Sequence, residues 1–251
     1  MTALSGKYVL AFSGGIDSRV LAAAAAMCKV DFIACTLKGL HLTSFETEQA
    51  VNWCSGQGIA HTFLSFDPLR IEKIRANGPE RCYWCKKEML FRLQGFSRGL
   101  MDGSNADDLV SSRPGLSALQ EAGVQSPLAR AGLGKKDIRC LARDMGLENP
   151  EQPSRSCLLT RIAPGTEIRE KTLAAVRYCE QIFLVSGLND FRVFVFPKKV
   201  IVLVRETEKD VFSGLKQRLC ALVKEHLQKP VETIITERVS GFLQSRIRKN
   251  I

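Results

Sequence analysis

The apolar run Tyr8-Val9-Leu10-Ala11-Phe12 leads directly into Ser13-Gly14-Gly15-Ile16-Asp17-Ser18 and then into the alanine-rich stretch Arg19–Cys28. Such a series demands a strand, a tight turn and a helix N-terminus, since alanine is the best helix former. The turn gathers backbone N–H groups and the positive end of a helix around one point, which suits an anion such as phosphate. Gly14 and Gly15 permit close backbone approach, and Ser13 and Ser18 add hydroxyl donors. Asp17 beside a polyphosphate is placed to help hold Mg²⁺, which takes oxygen ligands. The spacing is not Gly-x-x-x-x-Gly-Lys-Ser/Thr, so an ordinary P-loop is excluded. A plain tight turn would also satisfy Gly-Gly, but the position after a buried-type strand favours nucleotide binding.

The first half continues in the same alternation. Asp31–Leu37 and Ala60–Phe66 read as strands, with a helix over Phe45–Ser55 between them. Helices are predicted over Lys86–Gly95 and Lys135–Met145, and a short buried strand over Leu100–Gly103. This βαβα order predicts an α/β fold whose parallel sheet carries helices on both faces. The Pro/Ser/Arg-rich stretch Pro150–Pro164 reads as a loop and a domain boundary. Beyond it come a helix (Glu167–Leu184), a candidate hairpin (Phe191–Phe196 and Val200–Arg205), a long helix (Lys209–Leu227) and a strand (Val231–Ile235). Two domains are expected: residues 1–165, and a smaller α+β domain over 166–251 serving substrate binding or oligomerisation.

At 251 residues and 45% apolar content the chain can bury a sizeable core. No run of about 18 apolar residues is present, and the first strand leaves no room for a signal peptide, so a cytoplasmic protein with no membrane contact is expected. Nine cysteines, an odd number without an export signal, argue against a disulfide framework. Cys28, Cys35, Cys140, Cys179 and Cys220 lie in apolar patterns and read as small buried hydrophobes, while Cys54 lacks a partner at ligand spacing. The net charge of +10 fits anionic partners: nucleotides, acidic small molecules or RNA.

Arg81-Cys82-Tyr83-Trp84-Cys85-Lys86 places a Cys-x-x-Cys at a loop-to-helix junction, where it can ligate metal, act as a redox pair or be accidental. Its place after the third strand disfavours a thioredoxin motif, and no second close pair completes a four-cysteine zinc site. A third thiol, Cys157, lies in Pro153-Ser154-Arg155-Ser156-Cys157, where Arg155 and Arg161 favour the thiolate. Three thiolates can hold three irons of a four-iron cluster and leave the fourth open to an exogenous ligand. A further signal is Asp102-Gly103-Ser104-Asn105-Ala106-Asp107-Asp108. At the carboxyl end of a strand, Asn105 and Asp107 suit nucleotide or Mg²⁺ contacts, although a turn with a helix N-cap uses the same residue types.

The loop Ser13–Ser18 resembles the PP-loop of the ATP pyrophosphatase superfamily, whose fold is adenine-nucleotide alpha-hydrolase-like. Asp102–Asp108, Arg113-Pro114-Gly115, Gly123–Leu128, Gly132–Arg139, Pro153–Leu158 and Thr160-Arg161-Ile162 continue, in order, a series similar to that of the LarE family. The resemblance covers roughly residues 6–185 and implies an ATP-dependent sulfur transferase. It implies adenylation of a substrate carboxylate with loss of pyrophosphate, followed by replacement of AMP by sulfur. The implied substrate is a small carboxylated, nucleotide-like molecule, a pyridinium dicarboxylate mononucleotide on the way to a nickel-pincer cofactor. Some members give up the sulfur of one cysteine at the position of Cys157. Others carry two more, here Cys82 and Cys85, and a [4Fe-4S] cluster that takes sulfide or another sulfur donor; the three thiols favour this version. Cofactors are then ATP, Mg²⁺ and the cluster, Lys86 or Arg161 would orient the incoming sulfur, and a homo-oligomer is expected.

The chain departs from the family where an Arg-x-Arg-x-His segment is usual. Here the run is Arg192-Val193-Phe194-Val195-Phe196, in which Arg192 alone is kept as a substrate contact and the two phenylalanines read as strand residues. The departure bears on the acceptor rather than on adenylation. A tRNA-thiolating PP-loop enzyme keeps the chemistry and suits the charge, but the sequence has no added RNA-binding domain; tRNA binding with a steep salt dependence would mark it. A non-enzymatic alternative is an iron–sulfur or nucleotide-binding sensor, which pyrophosphate release would exclude.

Overall fold

A computed structural model of the chain describes residues 7–95, 98–110 and 114–239. Arg113 and the stretch after residue 239 lie outside them. The chain divides into two compact units, described separately. The first takes the chain up to Gly39 together with Glu46–Gln152; the second takes Leu40–Phe45 and the chain from Pro153 on.

In the first unit, strands β1 (Tyr8–Ala11), β2 (Phe32–Lys38), β3 (His61–Ser65) and β4 (Gly99–Asp102) form one sheet in the order β3-β2-β1-β4. All three pairings are parallel, with Ala11 level with Cys35 on one side and Asp102 on the other. Helices α1 (Ile16–Met27), α2 (Ser44–Gly56), α3 (Glu72–Arg75), α4 (Arg81–Gln94), α5 (Ala106–Val110), α6 (Pro114–Glu121), α7 (Pro127–Arg130) and α8 (Lys135–Asp144) connect and flank the strands. Leu10, Phe12, Val20, Leu21, Ala34, Leu128, Ile138 and Ala142 pack into one apolar core between sheet and helices. The expected α/β architecture with a parallel sheet is present.

This strand order has a functional consequence. The chain steps outward from β1 to β2 to β3 and then returns to the other side of β1 for β4. The loops after β1 and β4 therefore leave the sheet side by side at its switch point, where open α/β sheets bind ligands.

The second unit holds α9 (Glu170–Val185), β5 (Phe191–Val195), β6 (Val200–Arg205), α10 (Lys209–Leu227) and β7 (Val231–Thr236). Strands β5 and β6 form the expected antiparallel hairpin, its turn closed by Phe196 N–H donating to the Lys199 carbonyl at 2.8 Å, and β7 adds in parallel to β6. The alternating face of Phe191, Val193, Val200, Val202 and Val204 is buried.

Several element boundaries differ from the sequence expectation. α1 begins at Ile16, not Arg19, because Arg19 N–H already closes a helical bond to the Gly15 carbonyl at 3.0 Å. α4 begins at Arg81, not Lys86, because Trp84 N–H reaches the Glu80 carbonyl at 3.1 Å. Two of the cysteines read as buried, Cys28 and Cys140, are exposed. Cys28 is the residue that ends α1, and Cys140 faces outward on α8 with its thiol 3.9 Å from the Asp144 carboxylate. Among the described residues no helix is long and apolar enough to cross a membrane.

Candidate active site

The loop after β1 is clamped before it turns. Phe12 N–H donates to the Cys35 carbonyl at 2.9 Å, and Thr36 Oγ1 donates to the Phe12 carbonyl at 2.8 Å. Because the single hydroxyl proton of Thr36 is engaged there, His61 Nε2, 2.9 Å away, is the donor to Thr36 Oγ1. Burial holds the His61 imidazole below its ordinary pKa and so favours the neutral ring, which makes this donation as the Nε2–H tautomer.

Gly14 then turns through φ +74°, a left-handed conformation that favours glycine. Three hydrogen bonds close a ring around the turn: Gly15 N–H to Ser13 Oγ at 3.3 Å, Ser13 Oγ to Ser18 Oγ at 3.3 Å, and Ser18 Oγ to the Gly15 carbonyl at 2.9 Å. Gly15 caps α1 without a side chain, so the amides of Ile16, Asp17 and Ser18 stay outside the helical ladder at its positive end. That is the geometry of an anion site.

The loop after β4 lies against this turn. A Cβ on Gly103 would stand 2.9 Å from the Ser18 amide nitrogen and 3.1 Å from the Asp17 carbonyl carbon, both backbone atoms. We expect Gly103→Ala to cost about 1–3 kcal/mol by overpacking. A denaturant melt with an unshifted midpoint would show instead that the two loops part freely.

Asp102, 4% exposed, accepts from Ser104 Oγ at 2.7 Å and Ser126 Oγ at 2.6 Å, with Lys86 Nζ at 4.0 Å. Asn105 and Asp108 exchange hydrogen bonds, each side chain accepting the other's N–H at 3.1 and 3.2 Å. Asn105 is thus the N-cap of α5, a structural role the sequence left open. Asp107 accepts Lys135 N–H at 2.8 Å. The Lys135 ammonium donates to both oxygens of Asp17, at 2.7 and 2.8 Å. Ser13–Ser18, Lys86, Asn105 and Asp107 therefore all stand at the carboxyl end of the sheet. Lys135 joins them, a residue that the sequence marks only as part of Gly132–Arg139.

Cys82 and Cys85 lie one turn apart at the start of α4, on one side of the helix. Cys82 is exposed, with Arg81 donating to its sulfur at 3.4 Å, and Cys85 is buried. The donor set suits iron–sulfur ligation, since thiolates are the ligands of such clusters and positions three apart on a helix are neighbours. Cys157 belongs to the second unit. Among the described residues no three His, Cys, Asp or Glu side chains gather to hold a metal ion. Burial raises the thiols of Cys35 to about 11 and of Cys54 and Cys179 to about 12, which leaves these three unreactive at neutral pH.

Cys157 opens a short 3₁₀ turn, Leu158–Arg161, and its carbonyl accepts Thr160 N–H at 2.9 Å and Thr160 Oγ1 at 2.7 Å. This loop is fastened from beneath by buried charge. Arg161, 1% exposed, forks onto the fully buried Glu180 at 2.5 and 3.2 Å and reaches Ser156 Oγ at 2.8 Å. Glu180 also accepts Val193 N–H of β5 at 2.9 Å and has Arg155 at 3.9 Å. Burial opposes ionisation of Glu180, but the charge of Arg161 and these hydrogen bonds prevail and hold its carboxyl below the ordinary value.

Arg192, 2% exposed, donates to the Phe191 carbonyl at 2.6 Å and to the Ser154 carbonyl, with Asp190 at 3.6 Å. Burial, then repulsion from Arg161, lowers its guanidinium to about 10. The structure thus places Arg161 and Arg192 beneath the Cys157 loop as its fastenings. Phe194 packs with Ile201, Leu203 and Val239, and Phe196 lies against them, so both serve the apolar core of this unit. Glu180 was missed by sequence reading; its signal was one acid inside the apolar helical run Leu173–Leu184.

No protein-family model matches the chain. It is 33% identical over 191 residues to the uncharacterized protein slr1717 of Synechocystis, covering 74% of this chain and 71% of that one. It is 34% identical over 181 residues to the uncharacterized protein MJ0830 of Methanocaldococcus jannaschii, covering 70% and 68%. It is 30% identical over 194 residues to the pyridinium-3,5-bisthiocarboxylic acid mononucleotide synthase of Lactiplantibacillus plantarum, covering 74% of this chain and 70% of the synthase.

Proposed function

Since this chain belongs to the LarE family of sulfur transferases, we propose that it adenylates a substrate carboxylate with ATP and then replaces AMP by sulfur. The observation that carries the first step is the junction at the sheet's switch point. There the uncapped turn Ser13–Ser18, Asp17 and the Asp102–Asp107 loop meet. The amides of Ile16–Ser18 bind phosphate oxygens, and Asp17 takes the Mg²⁺ that accompanies ATP. A carboxylate oxygen attacks the α-phosphorus, the bond to the β-phosphate oxygen breaks, and pyrophosphate leaves with the electron pair. A sulfur nucleophile then attacks the acyl carbon and AMP departs, leaving a thiocarboxylate.

Cys82, Cys85 and Cys157 would hold a [4Fe-4S] cluster, and such a cluster would supply the sulfur nucleophile as sulfide. In the chain itself, Arg81 donates to the Cys82 sulfur, and Arg161 and Arg192 position Cys157 by fastening residues 154–157 to Glu180 and β5. The acceptor we propose is a pyridinium carboxylate mononucleotide, by analogy with the pyridinium-3,5-bisthiocarboxylic acid mononucleotide that the Lactiplantibacillus relative is named for making. A homo-oligomer in the cytoplasm completes the reading.

The test is anaerobic turnover of the purified protein with ATP and the pyridinium dicarboxylate mononucleotide, with iron, sulfide and pyrophosphate assayed. Carboxylate-dependent pyrophosphate release by a protein holding about four irons per chain supports the proposal. No pyrophosphate release overturns the adenylation step. A colourless protein whose Cys157 loses about 34 Da, one H₂S, on turnover replaces the cluster route with sacrifice of that cysteine.

A further inference from the structure

The bidentate contact between Lys135 and Asp17 is not explained by adenylation as described above. Both oxygens of Asp17 accept from one ammonium, at 2.7 and 2.8 Å, so the carboxylate proposed for Mg²⁺ is already engaged by a cation of the chain. The two side chains are 26% and 25% exposed, reachable by solvent and ligand. The base of Lys135 is fixed, because its N–H donates to Asp107 and the neighbouring Gly134 N–H donates to Asp137 at 3.0 Å. A Cβ on Gly134 would stand 3.0 Å from Asp107 Oδ1, so this approach is close. The four-carbon stem of the lysine, in contrast, is a flexible link between that backbone and the ammonium. An anchored backbone with an ammonium on a flexible stem is the arrangement of a group that changes partners.

The charge around the turn points the same way. Asp17, Asp102 and Asp107 stand at this end of the sheet, and a polyphosphate entering there needs cations. Lys86 faces Asp102 at 4.0 Å and Lys135 faces Asp17. A divalent ion that takes Asp17 displaces the ammonium of Lys135, which is then free to donate to a phosphate oxygen within a side-chain rotation. We propose that Lys135 exchanges partners: it neutralises Asp17 while the site is empty and moves to the triphosphate when metal and nucleotide bind. Metal and nucleotide then help each other. Metal alone must expel an ammonium whose Nζ, among the described residues, bonds Asp17 and no other side chain, whereas the nucleotide supplies a new partner, and such coupling is reciprocal. This inference rests on the nucleotide reading of Ser13–Ser18.

The test uses Mn²⁺ in place of Mg²⁺ and an ATP analogue with a methylene bridge between the α- and β-phosphorus. Mn²⁺ affinity, read by electron paramagnetic resonance, is measured with and without the analogue for wild type, Lys135→Ala, Lys135→Met and Lys135→Arg. In wild type the analogue tightens Mn²⁺ binding. In the Ala and Met variants Mn²⁺ alone binds about tenfold tighter, the gain expected when one competing ion pair is removed, and the analogue adds less. Pyrophosphate release by these variants falls about 10²-fold or more, as for loss of one charged donor to a transition state. Lys135→Arg, whose guanidinium forks onto a carboxylate, leaves Mn²⁺ affinity no higher than wild type. Unchanged or weaker Mn²⁺ binding in the folded Ala or Met variant overturns the exchange, leaving Lys135 as an anchor of α8. A wild-type protein that neither binds the analogue nor releases pyrophosphate overturns the nucleotide reading itself.

Discussion

Replacement of Glu180 by alanine is expected to destabilise the protein by about 3–5 kcal/mol, the cost of stranding a buried charge. The carboxylate is fully buried, and removing it leaves the Arg161 guanidinium, 1% exposed, without its counter-ion. The amide of Val193 loses its acceptor in the same step. Glu180→Gln keeps an acceptor for Val193 and gives up the charge, so a smaller loss is expected. Chemical denaturation followed by circular dichroism checks both; a Glu180→Ala protein within about 1 kcal/mol of wild type, inside the usual range for surface changes, would show that water reaches Arg161.

The same pair sets an acid limit. Because the folded protein holds the Glu180 carboxyl below its ordinary value, the stability it contributes is complete above the unfolded carboxylate pKa of about 4.3. That stability is lost as the pH falls below this value towards the lower folded one. The double change Arg161→Met with Glu180→Leu removes both charges, and part of the stability returns, since an apolar pair can replace a buried ion pair, while the Val193 amide still lacks its acceptor. Sulfur transfer does not return with it, because Ser156 loses its arginine donor and the Cys157 loop loses that fastening.

How much of this was legible in the sequence follows from the range of each interaction. The turn Ser13–Ser18 was readable because its chemistry is local: two glycines, two hydroxyls and a helix start within six residues. The parallel sheet was readable because strands alternating with helices leave few other arrangements. Starts of helices were less so, since Ile16 and Arg81 begin helices through backbone bonds that residue types do not announce. The fastening of the Cys157 loop was hidden altogether. Arg161, Glu180 and Arg192 are far apart in the chain and meet only when α9 packs on β5, so the two arginines read as ligand contacts while Glu180 read as nothing. Lys135 and Asp17 are 118 residues apart, and no spacing rule connects them.

The larger effect is expected at the cysteines, where one residue separates the two halves of the proposed reaction. Cys157→Ala should retain pyrophosphate release within about twofold, because the proposed adenylation uses the amides of Ile16–Ser18 and the Asp17 carboxylate and makes no use of the Cys157 sulfur. Thiocarboxylate formation by the same variant should fall at least about 10³-fold, since no residue left in its loop supplies a sulfur nucleophile or ligand. Cys82→Ala distinguishes the two sources of sulfur. If iron is the carrier, this variant loses bound iron and thiocarboxylate product together while Cys157 keeps its mass. If Cys157 is the donor, Cys82→Ala still completes one turnover and the mass of Cys157 drops. Mass spectrometry of the protein and product after a single turnover reads both outcomes. Cys35, Cys54 and Cys179, whose thiols burial raises to about 11 or 12, should remain unmodified throughout and serve as the internal control. A Cys157→Ala variant that still forms thiocarboxylate at the wild-type rate would place the sulfur on a different residue and remove the second half of the proposed mechanism.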